Sequence, residues 1–205
     1  MSRRDVSGDL NAGKLQAGAG GRIIGREIAV IKSTTSTNDF ILQKISPATP
    51  EGLVVFAEQQ TAGRGQRGNR WESPAGQGLW FSVFLRPELD LQDSAALTTW
   101  AAKSVSHSIA HEFALETKIK APNDIYLNGL KVAGVLVEMR AQEKARHFAV
   151  AGIGVNVNQS IEDFPKELRG RAISLAMALE RRVDRQEFAI ALLRQLDQTY
   201  SELFR

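Results

Sequence analysis

Apolar residues recur every fourth position from Leu97 through Ala101, Val105 and Ile109 to Phe113. That spacing draws one stripe down a helix, and Asp93 or Ser94 stands where such a helix is capped. A second stripe, Ala189, Leu192, Leu193, Leu196, Tyr200 and Leu203, predicts a final helix, with Asp184 and Glu187 at capping-box spacing. Elsewhere the apolar positions fall in short runs. LVVFAE (53–58), LWFSVFL (79–85) and FAVAGIGVNV (148–157) read as strands, and IIGREIAVI (23–31) alternates loosely as another. Asn128-Gly129 separates DIYL from LKVAGVLVEM, a strong two-residue hairpin signal. Ser36 and Ser174 stand as N-caps of two short helices, the first over TNDFILQKI. Strands with interspersed helices predict an α+β fold with a mixed, mostly antiparallel sheet and flanking helices.

Length adds that 205 residues suffice for one sizeable domain. The excess of Lys and Arg over Asp and Glu is 26 − 23 = +3, which suits an anionic small ligand or an acidic partner protein but is weak support for nucleic-acid binding, and no nucleic-acid partner is expected. The absence of cysteine excludes disulfides, thiolate catalysis and Cys-based zinc sites. No apolar run approaches the ~20 residues needed to cross a bilayer. Residues 1–21 are Gly/Ala-rich, carry no hydrophobic segment and read as a flexible leader, so the folded domain is expected at 22–205 and the protein in the cytoplasm.

Four segments carry candidate chemistry. The first, GRGQRGNRW (63–71), lies between two predicted strands, and no acid separates Glu58 from Glu72 to neutralise Arg64, Arg67 and Arg70. Glycines let backbone N–H groups approach an anion, arginine forks fit carboxylate or phosphate, and Trp71 offers a face to a flat heterocycle. The loop lacks the Gly-Lys-Ser/Thr ending of a Walker A motif and is not a GxGxxG fingerprint. The second, KAPNDIYLNGLKVAGVLVE (120–138), places Asn123 and the candidate Mg²⁺ ligand Asp124 across a hairpin from Lys131, a charge in an otherwise apolar strand, with Gly134 beyond it. In AGIGVNV (151–157), Gly152 and Gly154 mark either a crowded backbone or a bulge. In TSTN (35–38), two hydroxyls and an amide offer donors and acceptors together. His107 and His111 share a helix face without an evident third ligand, which favours a surface pair. The basic run from Lys166 to Arg185 reads as solvated surface.

Taken in order, TSTN, EQQTAGRGQRGNRW, KAPNDIY, KVAGVLVE and AGIGVNV closely resemble the catalytic domain of biotin protein ligases, from about Arg22 onward. The resemblance implies a fold like the class II aminoacyl-tRNA synthetase catalytic domain. It also implies a reaction: biotin and ATP give biotinyl-5′-AMP, and biotin then passes to a lysine of the biotin carboxyl carrier domain of a carboxylase. By the same resemblance Arg64, Lys131 and Asp124 are catalytic, with Asp124 holding Mg²⁺. Ser36, Thr37, Asn38, Gln60, Gly63, Arg64, Gly65, Gln66, Lys131, Gly134 and Gly152 bind biotin. Arg64, Arg67, Arg70, Trp71, Asn123, Lys131 and Asn156 bind ATP. A homodimer through sheet edges is compatible with it.

The chain departs from the family pattern at Gln66 and Asn69, where basic residues are frequent, and at Ala121, where tryptophan is usual. Neither an N-terminal helix-turn-helix nor a C-terminal SH3-like domain is expected within it. Two alternatives stay open: a lipoate- or octanoate-type ligase on the same fold, and a non-catalytic binder of biotin or its adenylate.

Overall fold

The computed structural model describes residues 8–141 and 147–205. Seven strands form one sheet: β1 (Ile28–Thr34), β2 (Val54–Gln60), β3 (Gly78–Leu85), β4 (Thr117–Lys120), β5 (Asp124–Leu127), β6 (Leu130–Arg140) and β7 (Phe148–Asn156). Their order is β1-β2-β3-β7-β6-β5-β4, and every pairing except the parallel β1–β2 is antiparallel. This is the predicted mixed, mostly antiparallel sheet.

Side-chain alternation sorts the strands into two faces. Ala149, Ala151, Ile153 and Val155 of β7 join Leu79, Phe81, Val83 and Leu85 of β3 in the main core, beneath the helices α3 (Ser94–Phe113) and α5 (Arg185–Leu203). Each fully buried Leu, Ile or Val there contributes about 1.5–3 kcal/mol. On the opposite face a smaller cluster, Val55, Phe84, Phe148 and Val150, packs under Ile41 of α2 (Thr37–Lys44). The remaining area of that face is left to the cleft described below.

The α3 stripe is buried as predicted through Leu97, Ala101, Val105 and Ile109, and Phe113 stacks on Phe188 at 5.1 Å. The hairpin turn forms with Asn128 at φ 51° and Gly129 at φ 78°, the left-handed pair such a turn requires. Ser174 caps the short α4 (Leu175–Leu179) and Asp184 caps α5 with their side chains. Ser36 and Asp93 occupy N-cap positions without a side-chain capping bond.

Several expectations are corrected. Residues 12–19, read as part of a flexible leader, form a helix, α1 (Ala12–Ala19), that buries Leu15 and Ala19 and lies along α5. Gly18 lets it approach, since a Cβ there would come within 2.5 Å of Ile190. Residues 22–24, expected to begin the first strand, instead form a turn whose three N–H groups donate to the Asp197 carboxylate at 2.7–2.8 Å. Strand β4 was not predicted. Leu203 is 64% exposed, and Phe204 is buried in its place.

Arg185, read as solvated, is buried. It pairs with Glu58 at 2.8 Å and donates to the carbonyls of Gly78 and Gly8, while Glu58 accepts the N–H of Leu10 at 2.6 Å. One buried ion pair thus joins residues 8–10 to β2, β3 and α5. His107 and His111 stack at 6.2 Å on the exposed side of α3, and among the described residues no three His, Cys, Asp or Glu side chains are placed to hold a metal.

Candidate active site

Two glycines on β7 make the floor. Gly152 and Gly154 stand two residues apart on one face, roughly 7 Å along the strand. A Cβ on Gly152 would lie 2.4 Å from Asn38 Oδ1, and one on Gly154 would lie 2.5 Å from Trp71 Nε1. Gly134 of β6 pairs with Gly154 and also supports the Trp71 ring, which a Cβ there would meet at 3.1 Å. The glycines are therefore where polar and aromatic side chains rest on bare backbone, so the crowded-backbone reading of AGIGVNV holds and the bulge reading does not.

One end of the floor is polar. Thr37 and Asn38 open α2, and the Ser82 hydroxyl of β3 lies 2.7 Å from Thr37 Oγ1 and 2.5 Å from Asn38 Oδ1. Gln60 Oε1 accepts from the Thr37 N–H at 2.8 Å, and Gln60 Nε2 donates to Ser73. Ser36 lines the same end.

At the other end sits Lys131. Its position depends on a β-bulge: Ile125 pairs with Ala133 but Tyr126 pairs with Lys131, so Val132 is one residue extra. Val132 and Ala133 both turn to the core, and Lys131 emerges on the same side as Gly134 although three residues separate them. Its Nζ stands 2.7 Å from Asp124 Oδ1 and 5.2 Å from the centroid of Trp71. The Asp124 contact is an ion pair in which Oδ1 accepts no hydrogen bond. Asn123 donates to the carbonyl of Val135 at 3.2 Å, and a cis Ala121-Pro122 bond precedes it.

The arginine loop folds on itself. Trp71 donates to the carbonyl of Gly63 at 2.9 Å, Gly65 to that of Asn69 at 2.7 Å, and the tip turns through left-handed Arg67 and Gly68. Contrary to the local sequence, Arg64 and Arg70 are paired with acids. Arg64 is held by Asp39 at 2.7 Å and by Glu138 at 2.6 and 3.3 Å, and Arg70 pairs with Glu72 at 2.9 Å. Burial of Glu138 opposes ionisation, but hydrogen bonds from Asn38 and Arg64 and the charges of Arg64 and Arg140 outweigh it, holding this carboxyl below its usual value. Its stabilisation is complete above the unfolded carboxylate value and is lost as pH falls through the lowered one.

A cleft of about 260 Å³ results. Ser36, Thr37, Asn38, Gln60, Arg64, Gly65, Gln66, Arg67, Arg70, Trp71, Asn123, Asp124, Lys131, Gly134 and Gly152 all line it. Two predicted residues do not. Gly63 is buried against Trp71, where a Cβ would meet the Trp71 carbonyl at 2.4 Å. Asn156 is buried behind the floor, donating to the carbonyls of Lys131 and Ile173. Two residues went unpredicted, Ser82 and Glu138, and each had left a signal as a polar residue inside an apolar strand.

Residues 29–158, more than half of the chain, match the biotin/lipoate A/B protein ligase family, and the chain belongs to that family. It is 38% identical over 178 residues to the bifunctional ligase/repressor BirA of Bacillus subtilis, covering 87% of this chain and 55% of that protein. It is 36% identical over 177 residues to the biotin–[acetyl-CoA-carboxylase] ligase of Mycobacterium tuberculosis, covering 84% and 63%. The chain thus spans a little over half the length of these relatives. Biotin protein ligase from Aquifex aeolicus in complex with biotin and ATP superposes with a TM-score of 0.74 at 29% identity, over 87% of this chain and 72% of that one. A putative lipoate protein ligase from T. acidophilum with bound lipoic acid shares the fold, at a TM-score of 0.62 and 14% identity.

Proposed function

We propose that the chain activates biotin with ATP and transfers it to a lysine of a biotin carboxyl carrier domain. The observation that carries this reading is the two-ended cleft. Its polar end offers donors and acceptors to a ureido ring, and its cationic end, roughly 7 Å along the strand, offers Lys131 to an anion. The relatives' printed activities and the biotin and ATP bound in the Aquifex aeolicus ligase support it. A lipoate dithiolane carries no N–H or C=O, and would leave the cleft-lining Thr37, Asn38 and Gln60 facing a group that cannot hydrogen-bond.

In the first step a biotin carboxylate oxygen attacks the α-phosphorus, an acyl–phosphate bond forms, and the bond to the β-phosphate breaks to release pyrophosphate. In the second, the neutral carrier lysine amine attacks the acyl carbon, AMP leaves, and the amine proton goes to solvent. Two anions meet in the first step, so a cation between them offsets their repulsion and stabilises the charge developing at phosphorus. Lys131 takes that role, and Arg64 joins it by exchanging a carboxylate partner for substrate. Ser36, Thr37, Asn38 and Gln60 hold the ring over Gly152. Trp71 covers the nucleotide side, where Asn123, Arg67 and Arg70 contact phosphate or ribose. Gly63 and Asn156 act from behind, shaping the loop and the Lys131 strand.

Asp124 is a single carboxylate already facing a cation, which does not suit a resident metal. It suits magnesium arriving as part of the nucleotide substrate and held mainly by phosphates.

Incubation with biotin, ATP, Mg²⁺ and a carrier domain, read by streptavidin blot, tests the reading. Labelling is expected. Lipoate accepted in place of biotin would overturn it in favour of the other acyl group, and tight biotin binding without pyrophosphate release in favour of a non-catalytic binder. A further expectation concerns Gln66, which lines the cleft at the start of the loop's tip. Gln66→Arg adds a charged contact worth roughly 1–3 kcal/mol to a bound anion, so biotinyl-AMP should dissociate about ten- to a hundredfold more slowly. Equal off-rates in stopped-flow chase experiments would retire this expectation.

A further inference from the structure

Glu138 belongs to none of the motif positions that the proposed chemistry uses, yet it joins two of them. It stands four residues beyond Gly134 on β6, and its side chain is 15% exposed, far less than those of its arginine partners. Oε2 accepts from Asn38 Nδ2 at 2.9 Å and from Arg64 Nη2 at 2.6 Å, and Oε1 accepts from Arg64 Nη1 at 3.3 Å and Arg140 Nη2 at 3.4 Å. One carboxylate therefore holds a side chain from the start of α2 and another from the arginine loop, beside the direct Arg64–Asp39 pair at 2.7 Å that also joins these elements.

The consequence for Asn38 is a question of polarity. A carboxamide has a donor end and an acceptor end of nearly identical shape, and only its neighbours decide which way round it sits. At Asn38 the donor end faces two acceptors, Glu138 and the carbonyl of Leu136 at 3.3 Å, while Oδ1 faces the Ser82 hydroxyl. Reversing the amide would set its oxygen against a charged carboxylate. The ionised Glu138 is what makes one orientation costly.

We propose that Glu138 is a positioning residue that fixes the carboxamide of Asn38, a cleft-lining side chain, with its acceptor end over Gly152 and toward Ser82, and that ties this orientation to the placement of the arginine loop through Arg64. The proposal rests on the biotin reading given above. Glutamine at 138 keeps the shape but removes the charge, and its own amide can face Asn38 either way, so only the longer contact to the Leu136 carbonyl still favours one polarity.

A double-mutant cycle read by biotinamide binding tests this, since the uncharged tail of biotinamide removes the carboxylate–arginine contribution. Glu138→Gln should weaken biotinamide binding about tenfold, within the range for hydrogen bonds to charged groups. In an Asn38→Ala background the same change should cost less than about twofold, because nothing remains to orient. A merely structural role would cost the same in both backgrounds, and that additivity, or wild-type affinity in a folded Glu138→Gln protein, overturns the proposal. Glu138→Asp, whose carboxylate stops one methylene short of Asn38, serves if the glutamine variant does not fold: losing the 2.9 Å contact it should bind more weakly by the same test, and additivity there overturns the proposal equally. Limited trypsin digestion gives a readout without ligand, since cleavage after Arg64, Arg67 and Arg70 should speed up severalfold once Arg64 loses its fork partner. If the wild type binds no biotin, the ligase reading fails, and unchanged loop cleavage then overturns the Glu138 proposal on its own.

Discussion

Lys131→Ala leaves a folded protein that releases pyrophosphate from biotin and ATP at least roughly 10²–10³-fold more slowly, the loss that follows removal of one electrostatic contact to a developing charge. The fold survives because the structural bonds of this residue are made by its backbone. Its N–H donates to the carbonyl of Arg171 and its carbonyl accepts the N–H of Ile173, both near 3 Å, and neither depends on the side chain. The ammonium instead faces Asp124 and the Trp71 ring, at the cationic end of the cleft. Alanine also leaves Asp124 without its cation, which adds repulsion to the incoming anions. Pyrophosphate release in a coupled assay, with circular dichroism and a thermal melt as controls, checks the result. Wild-type turnover in a folded variant would remove Lys131 from the mechanism.

Arg185→Met should lower the unfolding free energy by about 3–5 kcal/mol, because it strands the Glu58 carboxylate in the interior. For a chain of this length that is a fall of roughly 10 °C in Tm. The loss extends beyond one pair. Arg185 also holds the carbonyl of Gly78, and Gly78 faces Asn156 across the β3–β7 ladder. Adding Glu58→Gln to Arg185→Met removes the stranded charge and should recover much of the loss. Urea denaturation of both variants measures it, and a single-variant change below about 1 kcal/mol would show that the pair contributes little.

The two helical stripes and the hairpin were legible because long periodic segments and Asn-Gly turns are decided locally. Helix α1 was not: AGKLQAGA has the composition of a flexible leader, and it is α5 and β1, distant in sequence or beyond a turn, that supply the surface burying Leu15 and Ala19. Strand β4, four residues long, is defined by its pairing with β5 rather than by its own alternation. In the site, residue types and order picked out the TSTN segment, the loop and the lysine that together line the cleft. The loop's charge state was misread because Asp39 and Glu138 are 25 and 74 residues from Arg64. Arg185 was misread for the same reason, since its partner lies 127 residues away. Ion pairs formed across the sheet leave no local trace.

The glycine floor sets a limit on how this cleft can be re-engineered. At Gly134, Gly152 and Gly154 the side chain is already absent, so no substitution can deepen the cleft there, and each possible one fills it. Directed evolution toward a bulkier acyl donor can therefore gain room only from the walls, by shortening Trp71, Asn38 or the loop that carries Arg64. Those same groups are the ones proposed to hold biotin or the nucleotide, so the expected first variants are broader in scope and weaker in affinity together.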